Sequence, residues 1–293
     1  MKGNPAPDAT AEPGRAGPVA PAPPGHPDSA AALPGDLDDT AALPGTIWIA
    51  SDIHLGAAVP RTASAFYAFL AQARAQAQAL ILLGDIFDAW IGDDHALDHP
   101  PAWLQAALGA LRQTAATIPL WLISGNRDFL MGEALAQALG ARLVRAPLRL
   151  ATDAGPILLA HGDEYCTDDP AYQRFRRIVH TRWIQRLFLA LPLQLRRAIA
   201  RWARQRSRQA HGHKTLQMMD VNAQAVAQAL AAAGCLVLIH GHTHRPAVHR
   251  VSLNGHEGWR YVLPDWEFDH AQPVRGGWIS VDGEGIRAHQ WRD

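Results

Sequence analysis

The sequence predicts an α/β fold, because apolar strand-like runs alternate with helical segments and each run ends in a polar residue. Five short apolar runs are followed by Asp, Asn or His. The length of 293 residues suits one large domain, or one domain with an insert. Strands that alternate with helices form a largely buried sheet, and ligands bind beyond the ends of such strands, where the loops begin.

Residues 1–45 precede the first predicted strand and are rich in Pro, Ala, Gly and small polar residues. They include no Phe, Trp or Tyr, and such a segment cannot bury enough apolar area to offset its ordering entropy. We therefore predict a disordered tail at 1–45 and a folded domain at 46–293.

Composition restricts the class of protein. The 27 Lys and Arg residues balance the 27 Asp and Glu residues, so the net charge indicates no particular partner. Cys166 and Cys235 lie outside any Cys-x-x-Cys spacing, which argues against a disulfide framework or zinc knuckle and favours a reducing, cytosolic setting. No apolar run reaches the roughly 18 residues of a membrane span, and the N-terminus lacks the apolar core of a secretory signal.

Each of the five predicted strands ends in a short block of residues that contains candidate ligands. In chain order the strands and these blocks read TIWIASDIHLG, LILLGDIFDAW, IPLWLISGNRDF, GPILLAHGDE and CLVLIHGHTH. Each block alone is more typical of a turn, a cap or a packed histidine than of a ligand. Five blocks in this order, each at a strand end, indicate one shared site.

Residues 170–219 interrupt the alternation and are predicted to form two or three helices, with Pro192 starting or kinking one of them. No Asp or Glu lies between Asp169 and Asp220. The basic residues of this helical insert are Arg174, Arg176, Arg177, Arg182, Arg186, Arg196, Arg197, Arg201, Arg204, Arg206, Arg208 and Lys214. Such a one-sided charge is not typical of an ordinary solvated helix face.

The polar residues at the strand ends form a set of candidate metal ligands. They are Asp52, His54, Asp85, Asn126, His161, His242 and His244. Carboxylate, amide and imidazole groups together favour manganese or iron over a thiolate-type zinc site. Seven ligands are too many for one ion, whereas two ions about 3.5 to 4 Å apart with a shared carboxylate suit in-line displacement at phosphorus.

The blocks DIH, GD, GNRD, H and GHTH resemble the calcineurin-like metallophosphoesterase family over about residues 46–250. The resemblance implies a β-sandwich flanked by helices, with the helical insert as a lid. It implies that one metal binds Asp52, His54, Asp85 and His244, and the other Asp85, Asn126, His161 and His242. In this pattern Asp85 bridges the ions and Arg127 joins the catalytic residues. His240 has no place in the motif and is interpreted as packed or as a support for the ligands.

Longer blocks, among them HGDEYCTDDPAYQRFR and IHGHTHRPAVH, are similar to the UDP-2,3-diacylglucosamine diphosphatase family of lipid A biosynthesis. That similarity implies two manganese ions and an activated water that attacks the phosphorus next to uridine, giving UMP and 2,3-diacylglucosamine 1-phosphate. It implies substrate contacts from Asn126, Arg127, Asp169, Tyr172, Ser207, His211, Lys214 and His242. Relatives often have Asn at the position of His211 and Gly at that of Pro264, which leaves the contact at His211 open.

The apolar residues of the insert suit a slot for acyl chains, and its arginines suit an anionic membrane surface. These apolar residues are Trp183, Ile184, Leu187, Phe188, Leu189, Leu191, Leu193 and Leu195. We therefore expect a lipid-linked nucleotide-sugar substrate and peripheral attachment to the cytoplasmic face of the inner membrane. One alternative is that the leucines only pack the insert on the sheet. A second is that the arginines bind nucleic acid together with Trp183 and Trp202, and we do not expect this second function.

Two other functions stay open at this point. A different dimetal phosphodiesterase or nucleotide pyrophosphatase would keep every predicted ligand and should lack the basic, leucine-rich insert. A metal-free binding scaffold would keep the fold and should show substitutions among the seven ligands. None of the seven is substituted, which favours an enzyme.

Overall fold

The computed structural model describes residues 40–211, 220–253 and 255–291. Its strands are β1 (Thr40–Ala42), β2 (Ile47–Ala50), β3 (Ala79–Leu83), β4 (Leu120–Ile123), β5 (Arg142–Val144), β6 (Leu148–Thr152), β7 (Gly155–Leu159), β8 (Val237–His240), β9 (Val248–Leu253), β10 (His256–Val262), β11 (Gly277–Asp282) and β12 (Gly285–Gln290). Its helices are α1 (Pro60–Gln76), α2 (Asp93–Leu97), α3 (Ala102–Ala115), α4 (Glu133–Leu139), α5 (Pro170–Val179), α6 (Arg182–Leu189), α7 (Leu193–His211) and α8 (Ala223–Ala233). A 3-10 turn covers Asp163–Tyr165.

The strands form two mixed six-stranded sheets. One has the order β12-β11-β2-β3-β4-β5 and the other the order β1-β6-β7-β8-β10-β9. Strands β2 to β5 are parallel neighbours in the first sheet, and β7, β8 and β10 are parallel neighbours in the second. The predicted α/β class is confirmed, and its layered form is a β-sandwich with helices on the outer faces.

Alternate residues of each strand separate the inner core from the outer ones, as the period of two in a strand requires. Ile47 and Ile49 of β2 pack between the two sheets with Ile157 and Leu159 of β7. Their neighbours on the opposite face of the first sheet, such as Trp48, pack with α1, α3 and α4. Helix α8 covers the outer face of the second sheet. The sandwich is therefore closed by apolar layers on both sides.

The parallel strands bring the predicted site residues to one edge of the sandwich. Within the first sheet the backbone N–H of Asp52 donates to the Gly84 carbonyl at 3.1 Å, and within the second sheet Gly241 N–H donates to the His161 carbonyl at 2.9 Å. The two sheets are linked at this edge because His242 N–H donates to Asp52 Oδ2 at 3.0 Å.

The predicted end of the tail at residue 45 needs a correction, because Thr40–Ala42 form β1. This strand pairs in parallel with β6, and Leu43 N–H donates to the Ala151 carbonyl at 3.0 Å. Its residues are small, so hydrophobic pattern gives no strand signal there, and backbone pairing alone places it at the sheet edge. The rest of the predicted tail, residues 1–39, lies outside the described residues.

The insert predicted at 170–219 is helical as far as it is described, with α5, α6 and α7 in residues 170–211; residues 212–219 lie outside the described residues. Pro192 precedes α7, and its carbonyl accepts from the N–H groups of Leu195 and Arg196, so Pro192 starts that helix. Among the described helices, none has the length and hydropathy of a membrane span.

Candidate metal centre

The ligand-bearing loops hold their side chains in an unusual backbone conformation. Asp52, His54, Asp85, His242 and His244 all have positive φ, between 52° and 65°. Such left-handed conformations cost non-glycine residues on the order of 1 to 3 kcal/mol each and concentrate at functional sites. Five of the seven predicted ligands therefore carry backbone strain that the surrounding fold maintains.

Asp52, His54 and His244 form the first cluster, on the loops after β2 and β8. His54 Nε2 and His244 Nε2 lie 3.3 Å apart, and His244 Nε2 lies 3.3 Å from Asp52 Oδ1. Asp52 is fully buried, whereas the side chain of His244 is 40% exposed. The cluster thus opens to solvent on the side of His244.

Asn126, His161 and His242 form the second cluster. Asn126 Oδ1 lies 3.1 Å from His161 Nε2 and 2.9 Å from His242 Nδ1. His161 Nδ1 lies 3.0 Å from the Leu83 carbonyl, which only accepts, so Nδ1 carries a proton and Nε2 faces the cluster. Separations near 3 Å are those of adjacent ligands at about 2.1 Å from one ion.

Asp85 lies between the two clusters. Its Oδ2 is 3.9 Å from His54 Nδ1, and its Oδ1 is 3.6 Å from His161 Nε2. The backbone N–H of Arg127 donates to Asp85 Oδ1 at 2.8 Å, and the Arg127 side-chain Nε lies 4.0 Å from Oδ2. The two carboxylate oxygens face opposite clusters, a position that suits the predicted bridging role.

Asp128 is a buried support that sequence reasoning missed. It accepts from Gly125 N–H at 2.7 Å and from the N–H groups of Asp85, Ile86 and Phe87 at 3.2, 2.7 and 3.4 Å. This carboxylate fixes the loop after β3 against the loop after β4. The signal was present in the last residue of GNRD, which the ligand assignment left unused.

Asp265 is a second support that the ligand blocks did not indicate. Its Oδ2 lies 3.7 Å from His244 Nδ1, and Arg275 pairs with both of its oxygens. A carboxylate behind a histidine orients the ring and sets which nitrogen carries the proton. Asp265 therefore leaves Nε2 of His244 to face Asp52 and His54.

Crowded buried carboxylates are the main electrostatic feature of the site. Burial, reinforced by the Asp128 and Asp52 charges and opposed by His161, raises the pKa of Asp85 to about 7. Burial likewise raises the pKa of Asp128, in spite of its backbone hydrogen bonds. Burial acts on Asp52 in the same direction, but contact with the His244 imidazole outweighs it and lowers the pKa of Asp52. This arrangement favours a bound positive charge.

The imidazoles divide into two groups. Burial lowers the pKa of His54 to about 3 and that of His242 to about 4, so both rings are neutral and offer a nitrogen lone pair. Burial acts on His161 in the same direction, but the Asp85 and Asp52 carboxylates outweigh it and raise the pKa of His161 to about 10. Nε2 of His161 binds a cation only in the neutral form of the ring.

The donor set fits a divalent metal pair. Asp52 Oδ1 is buried and has no well-aligned hydrogen bond from a described residue; its nearest polar neighbour is His244 Nε2 at 3.3 Å. Carboxylate and imidazole atoms within 4.8 Å of one another occur in two sets, Asp52 with His54 and His244, and Asp52 with Asp85 and His161. Divalent ions among these side chains would pair with the buried oxygens of Asp52 and Asp85 and offset their negative charge.

The predicted substrate residues have different surroundings. Asn126, Arg127 and His242 lie within the centre, as described above. Tyr172 lies beside it, with its ring stacked on that of His242 at 6.1 Å between centroids. Asp169 begins α5, where its Oδ1 accepts from Tyr172 N–H at 3.0 Å. The side chains of Ser207 and His211, and all of Lys214, lie outside the described residues.

His240 is packed below the centre. It is fully buried at the end of β8, with Nδ1 2.9 Å from the Gly241 carbonyl, and burial lowers its pKa to about 3. A Cβ on Gly162 would lie 2.7 Å from its Nδ1, so its ring fills the space beside the loop after β7. His240 thus contacts the loops that carry the candidate ligands.

The geometry of the centre is matched by similarity to known proteins. The family model for calcineurin-like phosphoesterase matches residues 45–246, which include both clusters. The chain belongs to the calcineurin-like phosphoesterase family. As a phosphoesterase with an intact set of candidate metal ligands, it is a metal-dependent hydrolase.

Several relatives of this phosphoesterase are similar along most of its length. A Bordetella parapertussis protein named UDP-2,3-diacylglucosamine hydrolase is 53% identical over 83% of this chain and 94% of its own. Proteins of the same name from Sodalis glossinidius and Klebsiella pneumoniae are each 46% identical, over 84% and 75% of this chain and 98% and 90% of their own. The similarity therefore extends beyond the metal-binding blocks into the insert.

Proposed function

We propose that this chain hydrolyses the pyrophosphate bond of UDP-2,3-diacylglucosamine to give UMP and 2,3-diacylglucosamine 1-phosphate, a step of lipid A biosynthesis. The observation that carries the proposal is the 53% identity to a hydrolase of that name over 83% of the chain. The complete set of candidate ligands at the strand ends supports it.

The seven predicted ligands are proposed to hold two manganese ions, with Asp85 between them. The mixture of carboxylate, amide and imidazole donors, without thiolate, suits manganese. When bound, such an ion pair makes hydroxide available near neutral pH and neutralises charge on phosphoryl oxygens. Asp128 and Asp265 keep Asp85 and His244 in place for this role.

Arg127 is proposed to bind the pyrophosphate. Its backbone is fixed through the Asp85 contact, while its side chain is 26% exposed beside the centre. A guanidinium pairs with two phosphate oxygens at once and stabilises the charge that builds on them during attack on the phosphorus next to uridine. The sugar phosphate is a good leaving group, so the reaction does not require a nucleophilic side chain.

The insert is proposed to receive the acyl chains and to contact the cytoplasmic face of the inner membrane. Its helices hold most of the large apolar side chains that the described residues expose, including Trp183 at 64%, Leu187 at 62% and Trp202 at 61%. Exposed arginines, such as Arg182 and Arg186, lie on the same helices. Apolar and basic groups together suit an anionic lipid surface.

The test is a comparison of substrates with purified protein and manganese. We expect UDP-2,3-diacylglucosamine to be cleaved with a much higher kcat/KM than UDP-N-acetylglucosamine, which lacks the acyl chains, because the insert binds those chains. Activity on bis(p-nitrophenyl) phosphate reports the metal centre alone. Activity on that diester without cleavage of UDP-2,3-diacylglucosamine would refute the proposed substrate.

A further inference from the structure

The insert contacts the sandwich through ionic groups on both sides of the metal centre. Helix α5 is joined to Asp163, two residues after His161. Helix α7 is joined to Ile91 and Asp94, in the segment that follows Asp85. The two points of attachment thus lie on segments that follow ligand-bearing loops of different sheets.

Arg196 of α7 is buried in spite of its charge, with 3% of its surface exposed. Its Nη1 donates to the Ile91 carbonyl at 2.7 Å and to Asp94 Oδ1 at 2.8 Å, and its Nη2 donates to Asp94 Oδ2. Its Nε donates to the Leu191 carbonyl at 3.0 Å. A buried guanidinium is stable only with such partners, so these contacts define one position for α7.

The backbone of the partner segment is adapted to this contact. Gly92 has a φ of +128°, and a Cβ there would lie 2.5 Å from Arg196 Nη1 and 2.8 Å from Leu189 Cδ2. Only glycine permits both this conformation and this close approach. Arg204, two turns further along α7, forms an ion pair with Asp88 of the same segment.

Asp163 provides the attachment on the other side. It is 3% exposed, and its Oδ2 accepts from Arg176 Nε at 2.7 Å and from the Tyr172 hydroxyl at 2.8 Å. The same Tyr172 stacks on His242. Helix α5 is therefore held against the second cluster by a charge pair and a neighbouring ring contact.

We propose that Arg196 and Arg176 are positioning residues that hold the insert as a fixed bridge across the metal centre. The bridge sets the distance between the metal centre and the apolar side chains of the insert. Its effect on catalysis rests on the proposed function, because only a substrate with acyl chains contacts both. A small soluble diester needs the metal centre alone and is indifferent to the bridge.

The main test is Arg196→Met in the full chain. Met keeps much of the volume and removes the charge, and it leaves Asp94, whose side chain is 49% exposed, to water. We expect KM for UDP-2,3-diacylglucosamine to rise about tenfold or more, as loss of hydrogen bonds to a charged group implies. We expect kcat/KM for bis(p-nitrophenyl) phosphate to stay within about twofold, because no predicted ligand is touched. Arg196→Lys should recover part of the loss.

Tryptic cleavage after the exposed Arg182 and Arg186 gives a readout that does not depend on substrate. We expect faster cleavage in Arg196→Met and in Arg176→Met than in the wild type, because the insert is released. Val226→Ala, in the core under α8, is the control for lost stability at a distance from the insert. It should change neither the lipid KM nor the cleavage after these arginines.

Equal losses on both substrates in Arg196→Met, or unchanged values on both, would overturn the proposal. So would a rise in lipid KM in Val226→Ala as large as that in Arg196→Met. If the wild-type chain does not cleave UDP-2,3-diacylglucosamine, the proposed function fails. The tryptic rates alone then decide whether the two arginines hold the insert against the sandwich. Equal rates in wild type and Arg196→Met would then refute it.

Discussion

Asp85 is the residue on which the contacts of the metal centre converge. It faces His54 with one oxygen and His161 with the other, and its backbone is held by Asp128. Its backbone is left-handed, which costs a non-glycine residue conformational energy, and its raised pKa shows that a buried negative charge is unfavourable there. A cation that binds there relieves the electrostatic part of that cost.

Replacement of Asp85 or His161 by Ala is expected to abolish turnover with little change in fold. The loss should exceed the about 10- to 100-fold that outer contacts to a metal site cost. Bound metal, measured by mass spectrometry of the desalted protein, should fall from two ions towards one or none. His249→Ala, at an exposed histidine on β9, is the control. Retained activity with full metal content in either variant would contradict the dimetal site.

Arg127→Lys tests the proposed phosphate contact. We expect kcat/KM to fall about 10- to 100-fold, because lysine cannot pair with two oxygens in a fixed plane. Metal content should stay unchanged, since no predicted ligand is altered. Arg250→Lys is the matched control at an exposed arginine whose ion pair with Glu257 lies on β9 and β10. Unchanged kinetics for Arg127→Lys would mean that the guanidinium does not contact the pyrophosphate.

At the scale of elements, each predicted strand end supplies candidate ligands to one edge of the sandwich. Strands β2, β3 and β4 converge from one sheet and β7 and β8 from the other, so short loops suffice to bring the clusters together. The helical insert then joins loops of both sheets through α5 and α7. Arrangement of the elements, and not any one loop, brings the site together.

Local pattern predicted the five strands whose apolar runs end in candidate ligands, which are β2, β3, β4, β7 and β8. It did not indicate the other strands, which are β1, β5, β6, β9, β10, β11 and β12. Strand β1 is held by backbone pairing with β6, a distant part of the chain, and such a partner leaves no local signal. For the same reason Asp128 and Asp265 were missed. Asp128 binds backbone amides about 40 positions away, and Asp265 faces His244 from a different loop. Motif spacing therefore indicates the candidate ligands, but it does not indicate the residues that orient those ligands.

The strand β1 gives a prediction about truncation. Deletion of residues 1–39 should leave activity and the melting temperature unchanged, whereas deletion of 1–45 should lower stability. The longer deletion removes the β1 pairing and the contact of Gly45 N–H with Asp153 Oδ2 at 2.8 Å. Each lost kcal/mol lowers the melting temperature by about 2 to 4 °C in a chain of this size. Equal melting temperatures for the two deletions would show that β1 contributes nothing.

At the scale of the whole molecule, the balanced charge conceals a strongly uneven distribution. The insert carries eleven arginines with no acidic residue, and its helices expose Trp183 and Trp202. The remaining chain therefore has an acidic excess that offsets the insert. A molecule of this kind is expected to orient on an anionic surface with the insert towards the lipid.

Sedimentation with vesicles tests this orientation. We expect binding to phosphatidylglycerol-containing vesicles, weaker binding in high salt, and little binding to phosphatidylcholine alone. Trp183→Ser with Trp202→Ser should weaken binding about tenfold or more, since each indole contributes roughly 1.5 to 3 kcal/mol when buried in lipid. Val274→Ser, at a partly exposed valine outside the insert, is the control. Equal binding to both vesicle types would contradict an anionic surface as partner.

Isotope-labelled product analysis tests the central claim most directly. The full chain is incubated with UDP-2,3-diacylglucosamine and manganese in oxygen-18 water, and the products are analysed by mass spectrometry and phosphorus NMR. We expect one oxygen-18 atom in UMP and none in 2,3-diacylglucosamine 1-phosphate, because water attacks the phosphorus next to uridine. Label in the sugar phosphate, or no cleavage by a protein that still hydrolyses bis(p-nitrophenyl) phosphate, would contradict the proposed reaction.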